Sequence, residues 1–404
     1  MIQTLKKLGP GFLFAGAAIG VSHLVQSTRA GADFGFGLLW ALLLINLVKY
    51  PFFQYGTRYA SATGESLLEG YHKLGRGVLI AYFILTFATM FTIQTAVTIV
   101  TAGIASSLFG GGSIEIWAAI ILGICFGILI IGKYKFLDNL MKIVVLCLTI
   151  STGIAVVLAI KPETTVSLSQ VLPVDAISVA FLIAFMGWMP APLDISIWQS
   201  IWTVEKHKQQ PKISAKESIF DFNVGYFMTT ILAIGFLALG ALVMFGSGQS
   251  FSPKGGEFAN QLINMYAFSL GDGAKIVIGI AALTTMFSTS LTTLDASPRV
   301  MHRSAQILSG KKYNKGYLIW LLVLGLGTLA VFFFLLSEMG LLIKIATILS
   351  FITAPFYAII NFKLLNGKYT PQAARPSTFM KGFSFFGILI LLGFSAWYVT
   401  TLFQ

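Results

Sequence analysis

Apolar residues run along this chain in long blocks separated by short polar stretches. A helix needs about twenty apolar residues to cross a bilayer. The blocks predict membrane-spanning helices near 10–29, 36–60, 77–104, 114–132, 138–160, 176–202, 219–245, 274–300, 317–336, 340–362 and 382–402, eleven in all. They lack period-two alternation and are about twice the length of a barrel strand, which argues against a β-barrel. The expected fold class is therefore an all-α integral membrane protein.

Two of the spans are interrupted. The first, GPGFLFAGAAIGVSHLVQSTRAG at 9–31, is small and polar from Gly16 to His23. The sixth, AFMGWMPAPLDISIWQS at 184–200, places Gly187, Pro190 and Pro192 in mid-membrane. Each proline removes a backbone donor and clashes with the preceding turn. Unwound backbone at that depth is tolerated only where it is packed in protein or lines a cavity. Breaks are expected within 16–23 and 187–192, with the half-helices facing each other. Spans one and six open two five-helix halves, 1–160 and 175–362, followed by an additional helix at 382–402, all within one transmembrane domain spanning 1–404. Interrupted segments at matching positions of two halves point to a transporter's binding site. The longer loops at 203–218 and 246–273 are too short to form separate domains.

Composition sharpens this picture. Charged residues make up 10% of the chain, and mean hydropathy is +0.84. Soluble domains carry about 25% charged residues, so a soluble enzyme is excluded. The net charge of +12 raises the possibility of nucleic acid, but its distribution removes it. With the N-terminus inside, twenty of the 27 Lys and Arg fall on the cytoplasmic side and two, Lys161 and Lys254, on the external side. That asymmetry is the positive-inside pattern. It predicts a multi-pass protein of the cell (inner) membrane, with a cytoplasmic N-terminus and an external C-terminus. The expected partners are the lipid bilayer and a small substrate, not nucleic acid. Residues 1–8 lead into a long span without a small-residue cleavage site, so the first helix is expected to be retained. Cys125 and Cys147 lie in apolar runs and read as packing residues. The chain shows no Walker motif, HExxH pattern or paired catalytic carboxylates. Neither enzymatic activity nor a bound cofactor is expected.

Several stretches resemble the NRAMP family of divalent-metal transporters. They are the opening GPGFLFAG, RAGADFGFGLLWALLLINL at 29–47, AFMGWMP at 184–190 and SFITAPF at 350–356. The resemblance runs through the whole chain in the number and order of spans. It implies a LeuT-type inverted repeat of five plus five helices with helices 1 and 6 broken. It also implies secondary transport of a metal cation, by family habit divalent, through alternating access. The departures fall on the chemistry. The family's Asp-Pro-Gly-Asn motif lines up with Gly20, Val21, Ser22 and His23, and its Met-Pro-His motif with Met189, Pro190 and Ala191. An acidic pair linked to proton movement falls near Gln94 and Val97, and a metal-binding Gln near Ala346 or Thr347.

The candidate substrate site therefore comprises Gly20, Ser22, His23, Met186, Gly187 and Met189, with His23 and Met189 as metal ligands. An imidazole with thioethers suits a soft or late transition metal better than Mg²⁺. For each residue a plainer role stands beside this one: backbone-satisfied burial for His23, and gap-filling for the methionines. Asp194 and Arg29 are coupling or gating candidates. Asp194 reads equally as an N-cap of the second half-helix, and Arg29 either as a gate pairing with Asp33 or Asp175, or as a snorkelling side chain. Lys49, Lys344 and Asp295 read as ion-paired or interfacial. GxxxG patterns at Gly16–Gly20 and Gly123–Gly127 read as close helix contacts. Two rival functions remain open: transport of a small organic solute on the same fold, and a non-transporting membrane sensor.

Overall fold

The computed structural model describes residues 9–131, 134–160, 167–248, 251–252, 255–271, 275–335 and 339–401. Both chain ends lie outside that set, as do Lys6, Lys7, Lys133, Lys161 and Lys254 from the charge count. In chain order come α1 (Pro10–Ala18), a π-helical turn (Ser22–Ser27) that runs into α2 (Thr28–Phe34), and α3 (Leu39–Thr63). Next are α4 (Leu67–Leu74), α5 (Arg76–Phe109), α6 (Ile114–Ile131), α7 (Tyr134–Ala159), α8 (Ala176–Trp188) and α9 (Ile195–Gln209). The rest are α10 (Ala215–Val243), α11 (Gly255–Leu270), α12 (Lys275–Ser309), α13 (Gly316–Leu335), α14 (Met339–Asn366) and α15 (Thr378–Thr401).

Six of these, α5, α6, α10, α13, α14 and α15, are each long and apolar enough to cross a membrane by themselves. Helices α1 with α2, and α8 with α9, form the two broken spans. Helices α3, α7 and α12 complete the eleven expected from hydropathy. Leu47, Ile84, Phe227, Leu326 and Phe386 are exposed on the outside of the bundle. In water such a surface would aggregate; in hydrocarbon it is the solvated face. The chain is a multi-pass membrane protein.

Packing follows the inverted repeat. Helix α2 lies on α10 and α9 on α3; α1 lies on α7 and α8 on α14; α5 lies against α12. Exchanging each span with the one five places on turns every pair in this set into another member of it. Lipid supplies no hydrophobic drive between helices, so small residues that let backbones approach carry the contacts. Gly31 and Gly240 do this between spans one and seven. A Cβ on Gly31 would stand 2.0 Å from the Leu237 carbonyl oxygen, and one on Gly240 would stand 2.1 Å from that of Thr28. The Gly123–Gly127 pattern has no such role, because a Cβ on either residue would meet nothing within 4 Å.

The loops hold more structure than their polarity predicts. Ser66 and Glu69 form a reciprocal capping box that starts α4, and α11 occupies the Gly- and Ser-rich stretch after span seven. The N-terminus of α1 is fixed from across the bundle. Buried Asp221, on α10, accepts from the backbone N–H of Gly9 at 2.9 Å and of Gly11 at 2.8 Å. A carboxylate there also complements the positive end of the helix dipole. Asp221→Ala should therefore leave two buried donors unpaired, at about 1–3 kcal/mol each. Thermal unfolding in detergent should show a clearly lower midpoint, and an unchanged one would refute the cap.

Candidate functional site

The two breaks meet at the centre of the bundle. Helix α1 stops at Ala18 and the π-helical turn begins at Ser22; α8 stops at Trp188 and α9 begins at Ile195. The first break falls inside its expected window. The second runs from Met189 to Asp194, two residues past the proline pair. The Met189–Pro190 peptide is cis. Helix α1 touches α9, and the π-helical turn touches α8, so the halves face each other as expected. In a continuous helix the carbonyls of Met186 and Trp188 would accept from residues 190 and 192. Both are proline and have no N–H to give.

Between the breaks lies a cavity of about 30 Å³, with Gly20, Ser22, Trp188, Asp194, Thr289 and Thr293 on its walls. That volume holds about one or two water-sized occupants. Asp194 is 6% exposed, and its Oδ1 has no hydrogen-bond partner. It occupies the N-cap position of α9, yet its side chain makes no capping bond. It also borders a second void of about 10 Å³ toward α14, shared with Ser350 and Tyr357. A buried carboxylate oxygen without a donor is expensive unless something else comes to it.

The other polar walls are mostly oxygens, although Trp198, whose buried indole N–H has no partner, also lines the cavity. The Thr289 hydroxyl reaches the carbonyl of Gly16, in the last turn of α1, at 3.0 Å and that of Ile19, in the break, at 2.8 Å. One hydroxyl proton cannot satisfy both, so acceptor capacity is left over beside the cavity. Ser22 Oγ lies 2.7 Å from the Ala18 carbonyl and 2.7 Å from His23 Nδ1. Thr293 donates to Gln94 Oε1 at 2.7 Å, and Gln94 Nε2 donates to the Ser290 carbonyl at 3.3 Å. The residue standing at the family's acidic position thus ties span three to span eight as a neutral bridge. Among the described residues no three His, Cys, Asp or Glu side chains cluster as a metal site.

Of the residues expected at the site, Gly20, Ser22 and Asp194 come together on the cavity. His23, Met186 and Met189 are not among the residues lining it. His23 is fully buried and faces span seven, with Nε2 3.0 Å from the Thr229 carbonyl and Nδ1 against Ser22. Both ring nitrogens have partners within the protein. Met186 and Met189 are fully buried in the apolar core. Gly187 permits the close approach of α8 to α14: a Cβ there would stand 2.3 Å from the Thr347 carbonyl oxygen.

The flanking charges also sort themselves. Arg29 stands over the Phe181 ring, 5.9 Å from its centroid. Asp175, one of its expected partners, instead caps α8 by accepting from the Ser178 N–H at 2.9 Å. Asp295 is ion-paired with Arg299 at 2.7 Å, as the sequence suggests, and Lys344 is exposed. Lys49 is neither ion-paired nor interfacial. It is fully buried, and its ammonium donates to the carbonyls of Met186 at 2.8 Å, Gly187 at 2.7 Å, Met189 at 3.1 Å and Ala191 at 3.3 Å. The roles of Lys49 and Thr289 are what sequence reasoning missed. Their partners are backbone oxygens of the breaks, which leave no side-chain signature.

Comparison with known proteins gives a consistent picture. The family model described as natural resistance-associated macrophage protein-like matches residues 11–401. An uncharacterized protein of Pasteurella multocida is 38% identical over 369 residues, covering 89% of this chain and 84% of its own. Among solved structures, a mutant of the manganese transporter of Eremococcus coleocola superposes with a TM-score of 0.71 at 13% identity, covering 98% of this chain and 86% of that one. MhsT in complex with L-phenylalanine gives a TM-score of 0.71 at 15% identity, covering 97% of this chain and 98% of that one. At such identities the two structures speak for the fold, which is the LeuT-type fold expected from the sequence.

Proposed function

Since this chain belongs to the natural resistance-associated macrophage protein-like family, we propose that it moves a divalent metal cation across the membrane by alternating access at the paired breaks. It is a secondary transporter and not an enzyme. The carrying observation is the unpartnered Oδ1 of buried Asp194, set on a cavity between two sets of broken-helix carbonyls. We assign Asp194 as the anionic ligand. Ser22, Thr289 and the carbonyls around Gly20 supply neutral oxygens, and retained water completes the shell. Such a donor set favours oxygen-seeking ions such as Mn²⁺ and Mg²⁺ over the soft metals that His23 and Met189 would have selected.

Size bears on the organic-solute alternative. Pockets for small organic molecules usually enclose about 300–1,000 Å³, whereas this cavity measures about 30 Å³. A bare ion with a water or two fits; an amino acid does not.

We place the two repeats at 1–160 and 175–362, with 382–402 as the additional helix. We orient the N-terminus to the cytoplasm and the C-terminus outward in a bacterial-type inner membrane, on the strength of the Lys and Arg asymmetry. The inner mouth would then be the wider opening of about 430 Å³ where Glu65, Glu69 and Glu205 face Arg299, Arg303 and Lys208. The Arg303–Glu69 contact at 2.5 Å links α12 to α4 across that mouth, and the Lys208–Glu205 contact at 3.4 Å lies along α9 at its rim.

Calorimetric titration of the purified protein with Mn²⁺, Mg²⁺, Zn²⁺ and Ni²⁺ tests this reading. Saturable binding of Mn²⁺ or Mg²⁺, weaker for the softer pair, is the expected result. Binding of no metal, with saturable binding of an organic solute, would remove the metal assignment and leave the fold intact.

A further inference from the structure

The end of α8 is where this chain departs most from an ordinary broken helix. The last turn of any helix leaves up to four carbonyls without intrahelical donors and carries roughly half a negative charge. Here Pro190 also deprives the Met186 carbonyl of its donor, and the unwound stretch that follows adds the carbonyls of Met189 and Ala191. In water these groups would be hydrated. In mid-membrane each unmet one costs several kcal/mol. The chain meets them with one side chain. Lys49, ten residues into α3, reaches across to place its ammonium within 2.7–3.3 Å of four carbonyl oxygens.

That arrangement has the form of a cation site. Four neutral oxygens from a short stretch of backbone converge on one positive centre, with the Asp194 carboxylate close enough to act on it electrostatically. An ammonium has three N–H groups, so four acceptors at these distances share three donors. This is ion solvation rather than a set of one-to-one hydrogen bonds. The side chain is fully buried. A charged lysine is retained at such depth only with compensation of this kind.

We propose that the carbonyl cage at the break of span six is a monovalent-cation site whose resident ion is the tethered ammonium of Lys49. The cage is selective for a small cation that can exchange water for carbonyl oxygen, and in the native chain it is permanently loaded. Lys49 thereby fixes the C-terminal end of α8 to α3, and a freely diffusing ion is not needed to hold the break in shape. Truncating the side chain should empty the cage and turn it into a site for a diffusible cation of the same chemistry, ammonium or methylammonium.

The test is chemical rescue, read as thermal stability of full-length protein in detergent and independent of divalent-metal uptake. Wild type should unfold at the same midpoint in ammonium, methylammonium and choline chloride. Lys49→Ala should unfold several degrees lower in choline. Its midpoint should climb as ammonium or methylammonium is added, as mass action requires for a ligand that binds only the folded state. Lys49→Met, uncharged and of similar length, should be destabilised and should not respond, because its own side chain fills the space. Three results would each overturn the proposal: a Lys49→Met protein as stable as wild type, a Lys49→Ala protein indifferent to the cation, or one that fails to fold with ammonium present.

Discussion

Asp194→Asn should lower uptake of Mn²⁺ into proteoliposomes by at least about 100-fold, since outer-shell changes alone already cost metal sites about 10–100-fold. The substitution keeps the shape of the side chain and removes its charge. Among the described residues no other carboxylate shares the cavity wall, so none of them can take over. Asp194→Glu keeps the charge but lengthens the side chain in a cavity of about 30 Å³, and should retain a small part of the activity. Asp194 also lies in the field of the Lys49 ammonium. Neutralising it leaves a buried cation less compensated, so stability should be measured alongside uptake. Uptake lost at nearly unchanged stability supports a ligand. Uptake close to wild type in Asp194→Asn would mean that the cation crosses elsewhere.

This carboxylate shows how far the sequence reaches. Its depth in a broken span reads as functional or as a helix cap, and the structure shows it at the cap position without the cap bond. The breaks themselves were legible because proline and glycine act locally, through a missing N–H and a missing Cβ. The capping box at Ser66 and Glu69 was equally local, although the helix it starts was not expected. The facing of side chains around the first break was not legible. The π-helical turn over Ser22–Ser27 changes the number of residues per turn. Counting from the family motif therefore put His23 on the cavity, while the folded turn sends it to the Thr229 carbonyl. Motif position makes Met189 a thioether ligand, and Met186 stands one turn before it in the expected substrate site. What the structure uses from both is the carbonyl, which any residue would have provided. Lys49 lies 137 or more residues from each of its partners, and backbone oxygens carry no letter in the sequence.

Gly187→Ala should abolish transport and sharply reduce the yield of folded protein, whereas Gly123→Ala should do neither. The two residues are both glycines within apolar helices, and intrinsic helix propensity favours alanine at each by about 1 kcal/mol. Their surroundings decide the sign. At Gly123 the added methyl meets nothing within 4 Å and would face open space on the outside of the bundle. At Gly187 it would lie 2.3 Å from the Thr347 carbonyl oxygen and 3.3 Å from Phe351 Cβ. The first obstacle is backbone in the middle of α14, so no rotamer change can relieve it, and α8 must move away from α14. Overpacking of this kind costs about 1–3 kcal/mol where side chains can yield, and more where they cannot. The displacement also carries functional weight, because the Gly187 carbonyl holds the shortest of the four contacts to Lys49. Shifting it opens the cage at the break and moves the wall that bears Trp188 and Asp194. Size-exclusion profiles and thermal midpoints of the two variants, followed by Mn²⁺ uptake for whatever remains folded, make the comparison. A Gly187→Ala protein that folds and transports like Gly123→Ala would show that spans six and ten are not held at the separation described here.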